Sequence, residues 1–168
     1  MENFYMSRGA AKVIQVCAGV KPGEQVLLVT ELSRYSIAQA LAAEAYRVGA
    51  EPVVCIMEPR GQDSAEPPKE IAAAMASSDV FISVVGKSIT HTQAVKNAVA
   101  AGSRGLVLTQ FTEEMMIRGG IEGDFEALKP ICIGMARGMA GAEKIVLTSP
   151  SGTHLEYSAR GRRGNHLY

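Results

Sequence analysis

Apolar positions along the chain switch between helical spacing and short unbroken runs. Over residues 4–18, Val13, Ile14 and Cys17, with Val20 following, recur at helical spacing and predict an amphipathic leading helix. Lys21-Pro22-Gly23-Glu24 is turn chemistry, proline setting φ and glycine supplying freedom to reverse. The run Gln25-Val26-Leu27-Leu28-Val29-Thr30 is then almost wholly apolar, the habit of a strand buried on both faces of a parallel sheet. Ser33 is the expected N-cap of an Ala/Leu-rich helix over 37–48, which Gly49 stops.

The alternation continues. Residues 50–57 predict a second strand, whose Pro52 cannot donate to a ladder and so belongs outside the central hydrogen bonding. A polar loop over 58–68 is longer than the ~2–6 residues of a tight βα connection, and long loops often serve a site. Pro67-Pro68 opens a third helix, Val80 to Val85 forms a third strand, and a Ser/Thr/His turn leads into a helix that Gly102 ends. A fourth strand covers 105–109. Thr112 then caps a short helix, and a long helical pattern over 124–142 is interrupted by Pro130, Gly134 and Gly138. A fifth strand over 143–149, the turn Pro150-Ser151-Gly152 and the alternating stretch 153–158 predict a hairpin. The expected fold is α/β: a three-layer sandwich with a mainly parallel sheet, Rossmann-like topology, right-handed crossovers and a C-terminal hairpin. Residues 1–160 are read as one domain and 161–168 as a tail.

Composition narrows the function classes. The chain has 168 residues, 47% of them hydrophobic and 20% charged, which is globular and too apolar for disorder. Lys+Arg and Asp+Glu both total 17, so no basic excess calls for nucleic acid. No apolar run approaches the ~20 residues of a membrane span, and the amino terminus lacks the features of a signal peptide. Cys17, Cys55 and Cys132 are far apart and set among apolar residues; they are read as buried reduced thiols of a cytoplasmic protein.

Candidate chemistry gathers at one turn. Ser88-Ile89-Thr90-His91-Thr92 follows a strand and Gly86 and opens a helix, where open parallel sheets bind ligands. Ser88 and Thr90 are read first as N-capping groups that satisfy the first helical amides. His91 admits two readings: a neutral imidazole facing a ligand at the positive end of a helix dipole, or a side chain packed at the sheet edge. Glu113, Glu114 and Arg118 form a second group, with Glu114 and Arg118 spaced to pair across one helical turn. GxxxxGK[ST], GxSxG and HExxH are absent, and the first strand is followed by Thr30-Glu31-Leu32-Ser33-Arg34-Tyr35 where a dinucleotide fold would place glycine. Arg34 there could meet an anion at a helix start but is read first as a surface arginine. His154 and Glu156 could share one face of a strand, but two donors fall short of a metal site.

Taken in order, Gly19-Val20-Lys21-Pro22-Gly23-Glu24-Gln25-Val26, Gly49-Ala50-Glu51-Pro52-Val53-Val54, Ser88-Ile89-Thr90-His91-Thr92, Phe111-Thr112-Glu113-Glu114-Met115 and Leu147-Thr148-Ser149-Pro150-Ser151-Gly152-Thr153 carry a resemblance. The chain resembles the amino-terminal half of the thermophilic metallo-aminopeptidase family (aminopeptidase T, or leucyl-aminopeptidase-like). A related branch holds the iron-dependent 2,5-dihydroxypyridine ring-cleaving dioxygenases. The resemblance rests on motif order and implies a protein of about twice this length. It also implies that a divalent metal (Zn, Co or Fe) is held by His, Glu and Asp residues of the carboxyl-terminal half. It further implies that this domain walls a cleft for a peptide or small-molecule substrate and takes part in homodimer packing. On that reading Thr90, His91, Thr92, Glu113 and Arg118 are substrate-cleft candidates, and no residue of this chain is a catalytic or metal-ligating one. A ring-cleaving dioxygenase half and a stand-alone module binding a small ligand or a partner are the alternatives.

Overall fold

The computed structural model describes residues 2–164. The chain divides into two compact units, Met1–Glu122 and Gly123–Tyr168.

The first unit is built on four parallel strands. These are β1 (Gln25–Thr30), β2 (Glu51–Ile56), β3 (Val80–Val85) and β4 (Arg104–Thr109), in the order β2-β1-β3-β4. Val26 pairs with Pro52 on one side and Val80 on the other, and Val80 in turn pairs with Arg104. Pro52 is tolerated because β2 is an edge strand, as its missing N–H required.

Two helical layers cover the sheet because successive side chains of each strand point to opposite faces. Val26, Leu28, Val80, Ile82 and Val84 share one core with Ile37 and Leu41 of α2 (Tyr35–Arg47), Met6 of α1 (Glu2–Ala11) and Met116 of α5 (Glu113–Ile117). Leu27, Val29, Phe81 and Val85 share the other with Ile71 and Met75 of α3 (Lys69–Ser77) and Ala98 of α4 (Gln93–Ala100). The Phe81 ring lies directly on Gly105, where an added Cβ would come within 2.2 Å of it. Only glycine leaves that space.

Local corrections follow from backbone geometry. The leading helix runs on from α1 as a π-helical turn, Lys12–Cys17, closed by Ala18 N–H donating to Val13 O at 2.8 Å. Ser33 does not cap α2; it lies in a 3₁₀ turn, Leu32–Arg34, and no side chain caps the helix that follows. None of the three free cysteines is fully buried, because Cys17 ends the π-helical turn on an exposed face and Cys55 sits on the edge strand β2.

The second unit holds α6 (Phe125–Gly141) and an antiparallel hairpin of β5 (Lys144–Thr148) and β6 (His154–Ser158), as the alternating pattern predicted. Asp124 starts α6, its Oδ1 accepting Ala127 N–H at 3.1 Å, and the helix continues through Pro130, Gly134 and Gly138 without a break. Gly152, at φ +96°, makes the tight hairpin turn. Of the expected tail, residues 165–168, His166 among them, lie outside the described residues.

Candidate functional site

Parallel strands bring all four βα turns of the first unit to one edge. The chain leaves β1 for α2 on one face of the sheet and leaves β3 for α4 on the other. The carboxyl ends of β1 and β3 therefore flank the topological switch point, where open α/β sheets take their ligands.

On the β1 side the sequence gives Glu31 and Arg34. Glu31 is only 3% exposed. Its Oε1 accepts Gly86 N–H from the end of β3 at 3.1 Å, and its Oε2 lies 3.7 Å from Arg34 Nε. Arg34 Nη1 donates to Phe111 O, beyond β4, at 2.6 Å. One carboxylate and one guanidinium thus tie three strand ends together. A Cβ on Gly86 would stand 3.2 Å from Glu31 Oε2, so a side chain here would press on the carboxylate. Arg34 Nε is buried without a hydrogen-bond partner, leaving one donor beside the carboxylate uncommitted.

On the β3 side lies the hydroxyl-and-histidine turn. Thr92, not Ser88 or Thr90, is the N-cap of α4: its Oγ1 accepts Val95 N–H at 3.3 Å and donates to Ile89 O at 2.7 Å, with the side chain buried. Glu66, from the long loop, fills the two amides before it, accepting Gln93 N–H at 2.5 Å and Ala94 N–H at 3.1 Å. All three first-turn donors are therefore satisfied inside the protein. Ser88 Oγ donates to Thr90 Oγ1 at 3.0 Å, and Thr90 and His91 stand exposed.

The second predicted group divides. Ser36 Oγ donates to Glu113 Oε1, joining α5 to α2, and Arg118 pairs with Glu114 at 2.7 Å on an exposed surface, as the i,i+4 spacing required. Thr112 caps α5 by accepting Met115 N–H at 3.2 Å. No hydrogen bond or ion pair between the described residues joins Thr90 or His91 to Glu113 or Arg118. An open groove of about 420 Å³ lies beyond the ends of β1 and β2 at the same edge, lined by Leu32, Ser33 and residues 56–59 and by none of these four residues.

Among the described residues the two non-glycine positions of positive φ, Ser64 at +64° and Gln110 at +55°, belong to loops at this carboxyl edge, where strain is commonly stored for function. Two carboxyls away from this edge are held below their usual range. Glu24 is lowered chiefly by its hydrogen bond from Arg104 at the amino edge, and Glu44 chiefly by Arg47 on α2. Glu31, Asp63 and Glu66 were not singled out in the sequence. The available signal was an acid immediately after a buried strand and two acids in a long loop before a proline pair.

Among the described residues no three His, Cys, Asp or Glu side chains converge to hold a metal ion, and no helix is long and apolar enough to cross a membrane. Neither a family model nor a curated protein matches the chain. Solved structures do share its fold. The 2,5-dihydroxypyridine dioxygenase of Pseudomonas putida KT2440 matches at a TM-score of 0.66 and 13% identity, over 93% of this chain and 47% of that one. Wild-type AmpT from Thermus thermophilus matches at 0.55 and 14%, over 94% of this chain and 54% of that one. The chain spans about half the length of each.

Proposed function

We propose that this chain is the amino-terminal half of a metallo-aminopeptidase-like hydrolase and forms one wall of its substrate cleft. The observation that carries the reading is the match of nearly the whole chain to about half of AmpT and of the dioxygenase, with the sheet's switch point falling between β1 and β3. In it the carboxyl edge faces the substrate. Thr90 and His91 stand exposed to meet a substrate's polar groups, and the Glu31–Arg34 pair and the Thr92 cap hold that turn in position. Glu113 braces α5 through Ser36, and Arg118 offers a charge at the rim.

A divalent metal would supply an activated water for peptide hydrolysis. Among the described residues no three donors converge to hold such a metal, and on this reading its ligands belong to a second half. Ring cleavage by a non-haem iron dioxygenase is the second reading, favoured by the higher TM-score of that neighbour. Homodimer packing and a cytoplasmic location accompany the proposal.

The chain is tested with Zn, Co or Fe against aminoacyl-anilides and 2,5-dihydroxypyridine. The expected result is no turnover of either. Metal-dependent turnover would place a complete centre in this chain and end the cleft-wall reading.

A further inference from the structure

The long loop between β2 and α3 makes contacts that its length alone does not call for. Asp63 Oδ1 accepts Ser88 N–H at 2.8 Å, Ser64 N–H donates to Ser88 O at 2.7 Å, and Glu66 covers the amides of Gln93 and Ala94. Two exposed carboxylates and one strained residue thus hold residues 58–68 against the turn that presents Thr90 and His91. The ends of the loop are anchored separately: Met57 N–H donates to Thr30 O at 2.8 Å, and Met57 and Pro67 are buried.

We propose that residues 58–66 are a strap latched across the β3–α4 turn, opening and closing independently of the sheet and so gating the carboxyl edge. The latch consists of bonds from carboxylates to backbone amides, which are charge-assisted but exposed to competing water. Opening lets Ser64 leave its positive φ, a conformation disfavoured for a residue with a side chain, and frees the amides of Ser88, Gln93 and Ala94. The hinges are the anchored ends, so the sheet and both cores keep their contacts while the strap moves. The gating role rests on the carboxyl edge being the ligand-facing one, but the experiment reads the opening itself and stands or falls apart from that reading.

Arg60 is the one Lys or Arg in 58–68, so trypsin reports on the strap at a single bond, and hydrogen exchange reports on the latched amides. In the unaltered chain, Gln93 and Ala94 are expected to exchange at least about tenfold faster than Leu28 and Ile82 of the sheet, as local opening requires. In the Asp63→Ala/Glu66→Ala variant, cleavage after Arg60 and exchange at Gln93 and Ala94 are expected to rise a further tenfold or so, with sheet amides unchanged. Asp63→Asn, which keeps a carbonyl acceptor, restores most of the protection. Equal exchange at Gln93, Ala94, Leu28 and Ile82 in the unaltered chain overturns the strap, and that comparison decides even if the double variant does not fold. Unchanged cleavage in a folded double variant overturns the latch.

Discussion

The turns after β1 and β3 stand side by side at the switch point and are built in opposite ways. After β1, a carboxylate that is almost fully buried meets a guanidinium, and the pair reaches across to β3 and β4. After β3, hydroxyls and an imidazole stand at the surface while the backbone is capped by Thr92 and by Glu66 from another loop. The chemically suggestive turn is thus held by its neighbours, and the plainer one does the holding. Residue types that suggest reactivity mark the exposed surface, whereas the groups that fix its geometry are ordinary acids and a base found only through their partners.

Substitutions test this contrast in decreasing order of effect. Glu31→Ala removes the acceptor of Gly86 N–H and leaves Arg34 facing a buried gap, so urea unfolding of the first unit should show a loss of about 3 kcal/mol. If the loss is a few tenths instead, the pair is not what ties the strand ends. Thr92→Ala removes one cap and should cost about 1 kcal/mol, with the loss concentrated in α4 amide protection. Acid gives a smaller effect, away from both turns. Glu24 and Glu44 have folded-state values below the ordinary glutamate value of 4.5, so the stability they add is present above that pH and is lost as pH falls through their lowered values. Arg104 and Arg47 are substantially solvent-exposed, which screens the gain, and an acid titration in which the Glu24→Gln variant loses as much stability as the parent would contradict the assignment. His91→Ala should change stability by less than about 0.5 kcal/mol, since the side chain is exposed. A larger loss would make His91 a packing residue and end the proposal that it lines a cleft.

Most of the fold was legible because it rests on periodicity. Four apolar runs became four parallel strands, Thr112 capped α5, and residues 143–158 paired as a hairpin. The errors were local and had a common origin. Ser33 and Ser88 are good capping residues by type, yet the backbone put a 3₁₀ turn at one and placed Thr92 at the cap of α4. Of the candidate site, the placement of residues 88–92 after β3 was legible from strand order, but Glu31, Asp63 and Glu66 act across 55, 25 and 27 residues of chain, respectively. Pattern within a window of a dozen residues carries no record of such partners. Arg34, read as a surface arginine, pairs with Glu31 only three residues away, but its bond to Phe111 O spans 77 residues and left no local mark.

That the carboxyl edge of the first unit faces the substrate is tested most directly by an amide-resolved NMR titration of the chain with an amino-acid amide and, separately, with 2,5-dihydroxypyridine. The account predicts that one of them shifts resonances in residues 31–34, 86–92 and 110–118 and leaves the hairpin, residues 144–158, unmoved. Shifts confined to the hairpin, or none with either compound, would contradict it.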